Sequence, residues 1–549
     1  MAKKEKNKTQ YRQSNFFLIT VGYMLLVYLY LMVCIYPFII EPGYAVTSRV
    51  KYGFLIAVSY GSGAGPLLIP TFVPLTLLFI LIGTILYIRS SGKGVKEYIR
   101  TLRFSTTDIM VAAYALFVII STLTTPYRDD LLWGYTSWYM GFASQFLFII
   151  LYFITSRFFD RESLSGLVYA SFASSAIVFM IGILQRFGYD ILNLYDGLTN
   201  KAFISTIGQH TFFSSYMILF FMISVFAVWI SDAKSLMHKA GIVYVVIGSP
   251  IVCLCNADMA LAGLFMGMSF LFVISFDNIE KMKSFFEITL IILLGWRVTG
   301  LLWKIIGPEF KLDTLPVFMI LSPYMWIFIA AVAGMYIFVR KKAGERVAFD
   351  LTKYRFIGYI YVGLVVAVII ALLVYIILNT MEILPENLRS DANYLLFNER
   401  WGNTRGAIYH DAVLSYIEEF KKSPVTAIFG AGPDQFNHVV EDHVHEWLLK
   451  TAGEKVATNA HNEWLTAFIN YGLFGGIAYM GIFISYVISA VKKRMRAPLS
   501  IGVAVIAVAY FAHELFCYQQ FVNAPYIFLI LGIGEQLSRS VQKQDQKNS

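Results

Sequence analysis

Residues 459–476 read NAHNEWLTAFINYGLFGG, a polar stretch that becomes an apolar helix within a few positions. His461 and Asn462 stand at the change, and Asn459 is placed to cap the helix with His461 in its first turn. Upstream lies the longest polar segment of the chain, residues 379–460, and the sequence on either side of it is a succession of apolar runs. The 549 residues are 58% hydrophobic, 16% aromatic and only 14% charged. Soluble domains carry about a quarter charged residues, so the composition predicts a membrane protein.

A spanning helix needs about 20 mostly apolar residues, and counting such runs predicts about fourteen helices. The expected fold is an all-α, polytopic membrane bundle. Residues 1–378 hold about eleven helices, residues 379–460 form one large external loop, and residues 461–549 supply the remaining helices and a polar tail. The basic stretches RSSGKGVKEYIRTLR (89–103), RKKAGERVAFDLTKYR (340–355) and KKRMR (492–496) all fall on one side in this count. Lys and Arg collect on cytoplasmic ends of spanning helices, so both termini are expected in the cytoplasm and the large loop outside. The same rule accounts for the formal charge of +9 without nucleic acid. Cys34, Cys253, Cys255 and Cys517 lie in or beside apolar runs, which indicates no disulfide framework.

The loop has the pattern of a folded object. TRGAIYHDAVLSYIEEFKK (404–422) places Ile408, Tyr409, Ala412, Val413, Tyr416, Ile417 and Phe420 at helical spacing, which predicts an amphipathic helix. Arg405 opens it one turn before Tyr409, so both can face one pocket. IFGAGPDQF (428–436) reads as a tight glycine-proline turn. At the positive end of a helix dipole His461 is disfavoured as an imidazolium, which leaves a neutral ring able to accept a proton. A histidine merely resting at the interface fits the spacing equally well. His438, His443 and His445 beside Glu441 and Asp442 have spacing open to a metal, but no matching ligand set occurs elsewhere, and a solvated face without metal is expected. Glu446 and Glu463 are candidates to assist His461.

HNEWLTAFINYGLFG, with His461, Asn462, Gly472 and Gly475, resembles the signature of the bacterial O-antigen ligase and polymerase superfamily. GNTRGAIYHDAV, FGAGPDQF and FISTIGQHTFFSSYM, the last with Gln209 and His210, resemble further elements of that family, and they agree with its topology. The resemblance covers most of the chain from about Leu131. It implies a glycan transferase that takes its donor from undecaprenyl diphosphate, uses no nucleotide sugar and needs no metal or other cofactor. It acts at the outer face of the bacterial cytoplasmic membrane on a glycan, lipid or wall-polymer acceptor. His461 would be the base. Arg405 would bind the diphosphate, since a guanidinium holds phosphate oxygens in a bidentate fork. Arg400, Asn462, Tyr409, Gln209 and His210 are the surrounding binding candidates. Two arginines common in the family are missing here: the hairpin reads CNADMALAG with Asp258, and the second external loop reads WGYTSWYMG. Arg297 and Lys51 are the candidate replacements. Trp133, Trp138 and Trp401 are candidates for stacking on sugars. A polymerase, a lipid-linked glycan flippase and a non-catalytic binding scaffold remain the alternatives.

Overall fold

A computed structural model describes residues 2–64, 67–69, 71–92, 94–194, 202–345, 349–443, 446–452 and 457–548. Its α-helices in chain order begin with α1 Ala2–Cys34, α2 Tyr44–Ser59, α3 Phe72–Ser91, α4 Val95–Thr101, α5 Thr106–Thr124, α6 Phe142–Phe158 and α7 Leu164–Arg186. The middle of the chain forms α8 His210–Ile230, α9 Leu236–Leu254, α10 Asp258–Ser275, α11 Ile279–Ile306, α12 Thr314–Leu321, α13 Met325–Ala343 and α14 Arg355–Thr380. The polar segment contains α15 Trp401–Lys422, α16 Pro424–Phe429, α17 Phe436–Asp442 and α18 Glu446–Ala452, and the chain ends in α19 Glu463–Lys493, α20 Ser500–His513 and α21 Ala524–Asn548. Two short antiparallel hairpins complete it, Ser62–Ala64 with Leu67–Ile69 and Phe203–Ile204 with Gly208–Gln209.

The expected all-α bundle is present. Among the described residues ten helices are long and apolar enough to cross a membrane, and eleven if α12 and α13, bent by 57°, form one span. The expected fourteen is not reached on these grounds: α6 and α20 are apolar but shorter, and α21 is not apolar enough over its length. Helix α8 is the hub, with 89% of its apolar window buried. Helix α14 is the opposite: none of its window is buried, and it exposes Tyr359, Leu364, Val368 and Ile370. An apolar helix with no buried face is stable only where the solvent is lipid.

Two of the basic linkers meet on one carboxylate, and a second carboxylate gathers arginines of α6 and α21. Asp277 accepts from Arg355 at 2.5 Å and from Arg494 at 2.8 Å, and Asp108 takes Arg157 at 3.1 Å together with Arg539. The described residues of the polar segment, among them α15 to α18, pack at the other end of the bundle.

There, α19 is broken at Gly472, whose φ of 72° lies in the left-handed region. The break frees the carbonyls of Ile469 and Asn470, which accept the N–H groups of Ala431 at 3.0 Å and Gly432 at 2.9 Å. A Cβ on Gly472 would overlap the Ile428 carbonyl, and one on Gly430 would overlap that of Asn470. The glycine-proline turn is thus dovetailed into the kink. Its Asp434 is buried and accepts from Tyr135 N at 2.7 Å and Met140 N at 3.1 Å, which ties residues 135–140 to the same joint. Burial pushes that carboxyl up to about 7, against the two N–H donors.

Candidate functional site at the start of helix α19

The cap of α19 is Asn462, whose Oδ1 accepts from Leu465 N at 3.0 Å, and not Asn459. His461 therefore sits just before the helix, where Asn459 Oδ1 accepts its N–H at 3.0 Å. The shift by three residues has a local cause: Thr466 Oγ1 holds both the Ala460 N–H and the Asn462 carbonyl, closing the turn one step later. His461 adopts φ 47°, a left-handed conformation costly for a residue with a Cβ and concentrated at functional sites.

What holds it there is the amphipathic helix. Tyr409 Oη donates to the His461 carbonyl at 3.2 Å and to that of Leu515 at 3.1 Å, linking α15, the turn before α19 and the end of α20. The His461 ring lies edge-on to Tyr518 at 5.1 Å. Tyr518 Oη in turn donates to Gln209 Oε1 at 3.0 Å and packs against Trp138 at 5.0 Å. No hydrogen bond to either ring nitrogen of His461 is recorded among the described residues. Burial first, then the nearby Arg405 and His210, push its pKa down to about 4, so the ring is neutral at pH 7.

Arg405 follows three successive left-handed residues, Gly402, Asn403 and Thr404. Its Nη1 donates to the Gly402 carbonyl at 2.9 Å, its buried Nε has no partner, and no carboxylate is paired with it among the described residues. The site thus gathers Arg405, Tyr409, Asn462, His461, Gln209 and His210. Aromatic rings wall it: Trp401 stands 5.9 Å from Tyr409 and 6.2 Å from Tyr394. Opposite lies the α9–α10 hairpin, where Tyr394 Oη donates to Asp258 at 3.4 Å and Asn256 binds Asp313 at 3.0 Å.

Other expected residues lie elsewhere or do other work. Arg297 is buried in α11, and its guanidinium donates to the carbonyls of Ser322, at 2.8 Å, and Met319. Met319 lies in the last turn of α12 and Ser322 just beyond it, so Arg297 closes the α12–α13 bend rather than facing a ligand. Lys51 is likewise spent on the carbonyls of Tyr36 at 3.2 Å and Pro37 at 2.8 Å, just beyond α1. Arg400 is exposed and makes no recorded side-chain bond among the described residues. Glu463 turns away from His461 into a buried cluster, accepting from Tyr479 and from Tyr510 at 3.0 Å. Glu446 is exposed and paired with Lys450. His443 lies between Glu418 at 3.3 Å and Glu419 at 3.1 Å, half-buried rather than solvated, and His445 lies outside the described residues.

Sequence reasoning missed Tyr518, one of 35 tyrosines and without any local mark. It also missed Arg186, buried at the end of α7, where it donates to Leu254 O at 3.2 Å, covers the Phe310 ring at 4.0 Å and lies within electrostatic reach of His210. A guanidinium ending an apolar run was the available signal. No protein-family model and no curated protein matches this chain.

Proposed function

We propose that the chain transfers a glycan from an undecaprenyl-diphosphate carrier to an acceptor hydroxyl at the outer face of a bacterial cytoplasmic membrane. The observation that carries this reading is the pairing of a neutral, strained and unbonded His461 with an Arg405 that has no carboxylate partner, at the polar end of an apolar bundle. The acceptor oxygen attacks the sugar C1 and gives its proton to His461. The bond from C1 to the diphosphate oxygen breaks, and its electron pair leaves with the diphosphate, whose charge Arg405 neutralises. Arg186, buried and bonded to the Leu254 carbonyl, adds positive potential beside His210. Asp258 and Asp313, across the site, suit sugar hydroxyls as acceptors. The reading needs no metal or other cofactor.

A transfer assay in proteoliposomes, with lipid-linked glycan and candidate acceptors, tests it. His461→Ala is expected to lose at least about 10²-fold in rate, the usual worth of a general base, and Arg405→Ala a similar amount. One added block indicates a ligase and a ladder a polymerase. A flippase is the second reading, favoured by the buried Glu463, Glu514 and His513 inside the bundle. Glycan that crosses the bilayer without being transferred decides for it.

A further inference from the structure

A groove of about 380 Å³ opens at the opposite end of the bundle from His461, between α1, α7, α8, α20 and α21. Its lining is mostly apolar: the hydroxyls of Ser171 and Tyr526 are turned onto the carbonyls of Val168 and Met32, and Arg161, Ser165 and Ser231 stand at the mouth. Along α8 it runs from Ile230 back to Phe220, halfway down that helix. Ten residues of helix rise roughly 15 Å, which is half of the roughly 30 Å hydrocarbon core. Inside, it ends where Tyr526 Oη donates to the Met32 carbonyl at 2.6 Å. The depth is that of one leaflet.

The mouth carries a charge with nothing to balance it. Arg161 is exposed, and no ion pair or hydrogen bond from its guanidinium is recorded among the described residues. Its neighbours in sequence do not change this: Asp160 Oδ1 caps the local turn by accepting from Glu162 N at 3.3 Å, and neither residue lines the groove. Arg157, on the same turn, is taken by Asp108. The two serines add hydroxyl donors beside the Arg161 guanidinium.

We infer that this groove holds an acyl chain of an anionic membrane phospholipid, with the phosphate of its headgroup on Arg161. An apolar slot one leaflet deep with one cation and two hydroxyls at its rim has the shape and the polarity of that molecule. The assignment does not depend on the transfer reaction, since the groove and the His461 pocket lie at opposite ends.

Native mass spectrometry of the full-length protein, released from detergent with phosphatidylglycerol or phosphatidylcholine, tests it without any donor present. Wild type is expected to retain one phosphatidylglycerol, favoured about fivefold over phosphatidylcholine, the effect of a single cation near an anionic lipid surface. Arg161→Gln, at an exposed position, should fold normally, keep a bound lipid and lose that preference. Val168→Trp, which narrows the groove, should lower retention of both lipids. Equal retention of the two lipids by wild type, or an unchanged preference in Arg161→Gln, overturns the proposal. Retention of undecaprenyl phosphate in place of phosphatidylglycerol overturns it too, by giving the groove to the carrier.

Discussion

His461 and Arg405 oppose each other as charges, and that opposition sets a pH dependence. An ordinary histidine gains its proton as pH falls through about 6.5. Here burial and Arg405 hold the folded-state value at about 4, so the free protein keeps a neutral base down to that range. The acid limb of kcat/KM is therefore expected well below pH 6. A bound diphosphate offsets Arg405 and favours the imidazolium, so the acid limb of kcat should lie at higher pH than that of kcat/KM. Arg405→Gln should raise the kcat/KM limb but leave it below 6.5, because burial is the larger cause and remains. Profiles of residual transfer from pH 4 to 8 decide this, and a limb at 6.5 in wild type would remove His461 as the base. The residues themselves were partly legible. His461, Arg405 and Tyr409 stood out because polar groups at the edge of apolar runs are few. Arg297 and Lys51 misled because the carbonyls that absorb them lie 14 to 25 residues away in the chain, a geometry no spacing reveals. His513 and Glu514, side by side inside an apolar run, carried a signal in plain view; the structure buries both and joins them at 2.8 Å.

Among the elements, the joint between the glycine-proline turn and the broken α19 fixes the site. The turn uses Ala431 and Gly432 to satisfy the carbonyls that the kink exposes, and Asp434 then fastens residues 135–140 to it. Local sequence announced both halves, the turn by its glycines and proline and the helix by its apolar run. It did not announce that one fits into the other, since a glycine inside a helical pattern is equally compatible with an unbroken helix. Gly472→Ala adds a Cβ at positive φ and against the Ile428 backbone, and a cost of roughly 2–4 kcal/mol is expected from strain and overlap together. Thermal unfolding in detergent should show a lowered Tm, with transfer activity lost even at temperatures where the variant stays folded. Gly92→Ala serves as the comparison, since it shares a positive φ of 67° but meets no atom within 4 Å. If both variants lose the same stability, the joint contributes nothing beyond backbone strain.

At the scale of the whole molecule, chemistry is sorted by end. One end gathers arginines on Asp108 and Asp277, two of them from basic linkers, while the other carries α15 to α18 and the His461 pocket, with α8 buried between them. This polarity was legible because Lys and Arg mark linkers irrespective of how helices pack. The number of spans was less so, since a short apolar helix such as α6 reads like a crossing one. If the basic end faces the cytoplasm, the pocket faces outward, the side that the proposed transfer requires. Cysteine labelling checks the direction in a Cys34→Ser background, which removes the native thiol that is exposed. Asn403→Cys, exposed beside the pocket, should react with a membrane-impermeant maleimide in intact spheroplasts. Lys353→Cys, exposed at the basic end before α14, should react only after lysis. The reverse pattern would put His461 in the cytoplasm, away from an outward-facing lipid-linked donor, and would remove the transfer reading however well the pocket is formed.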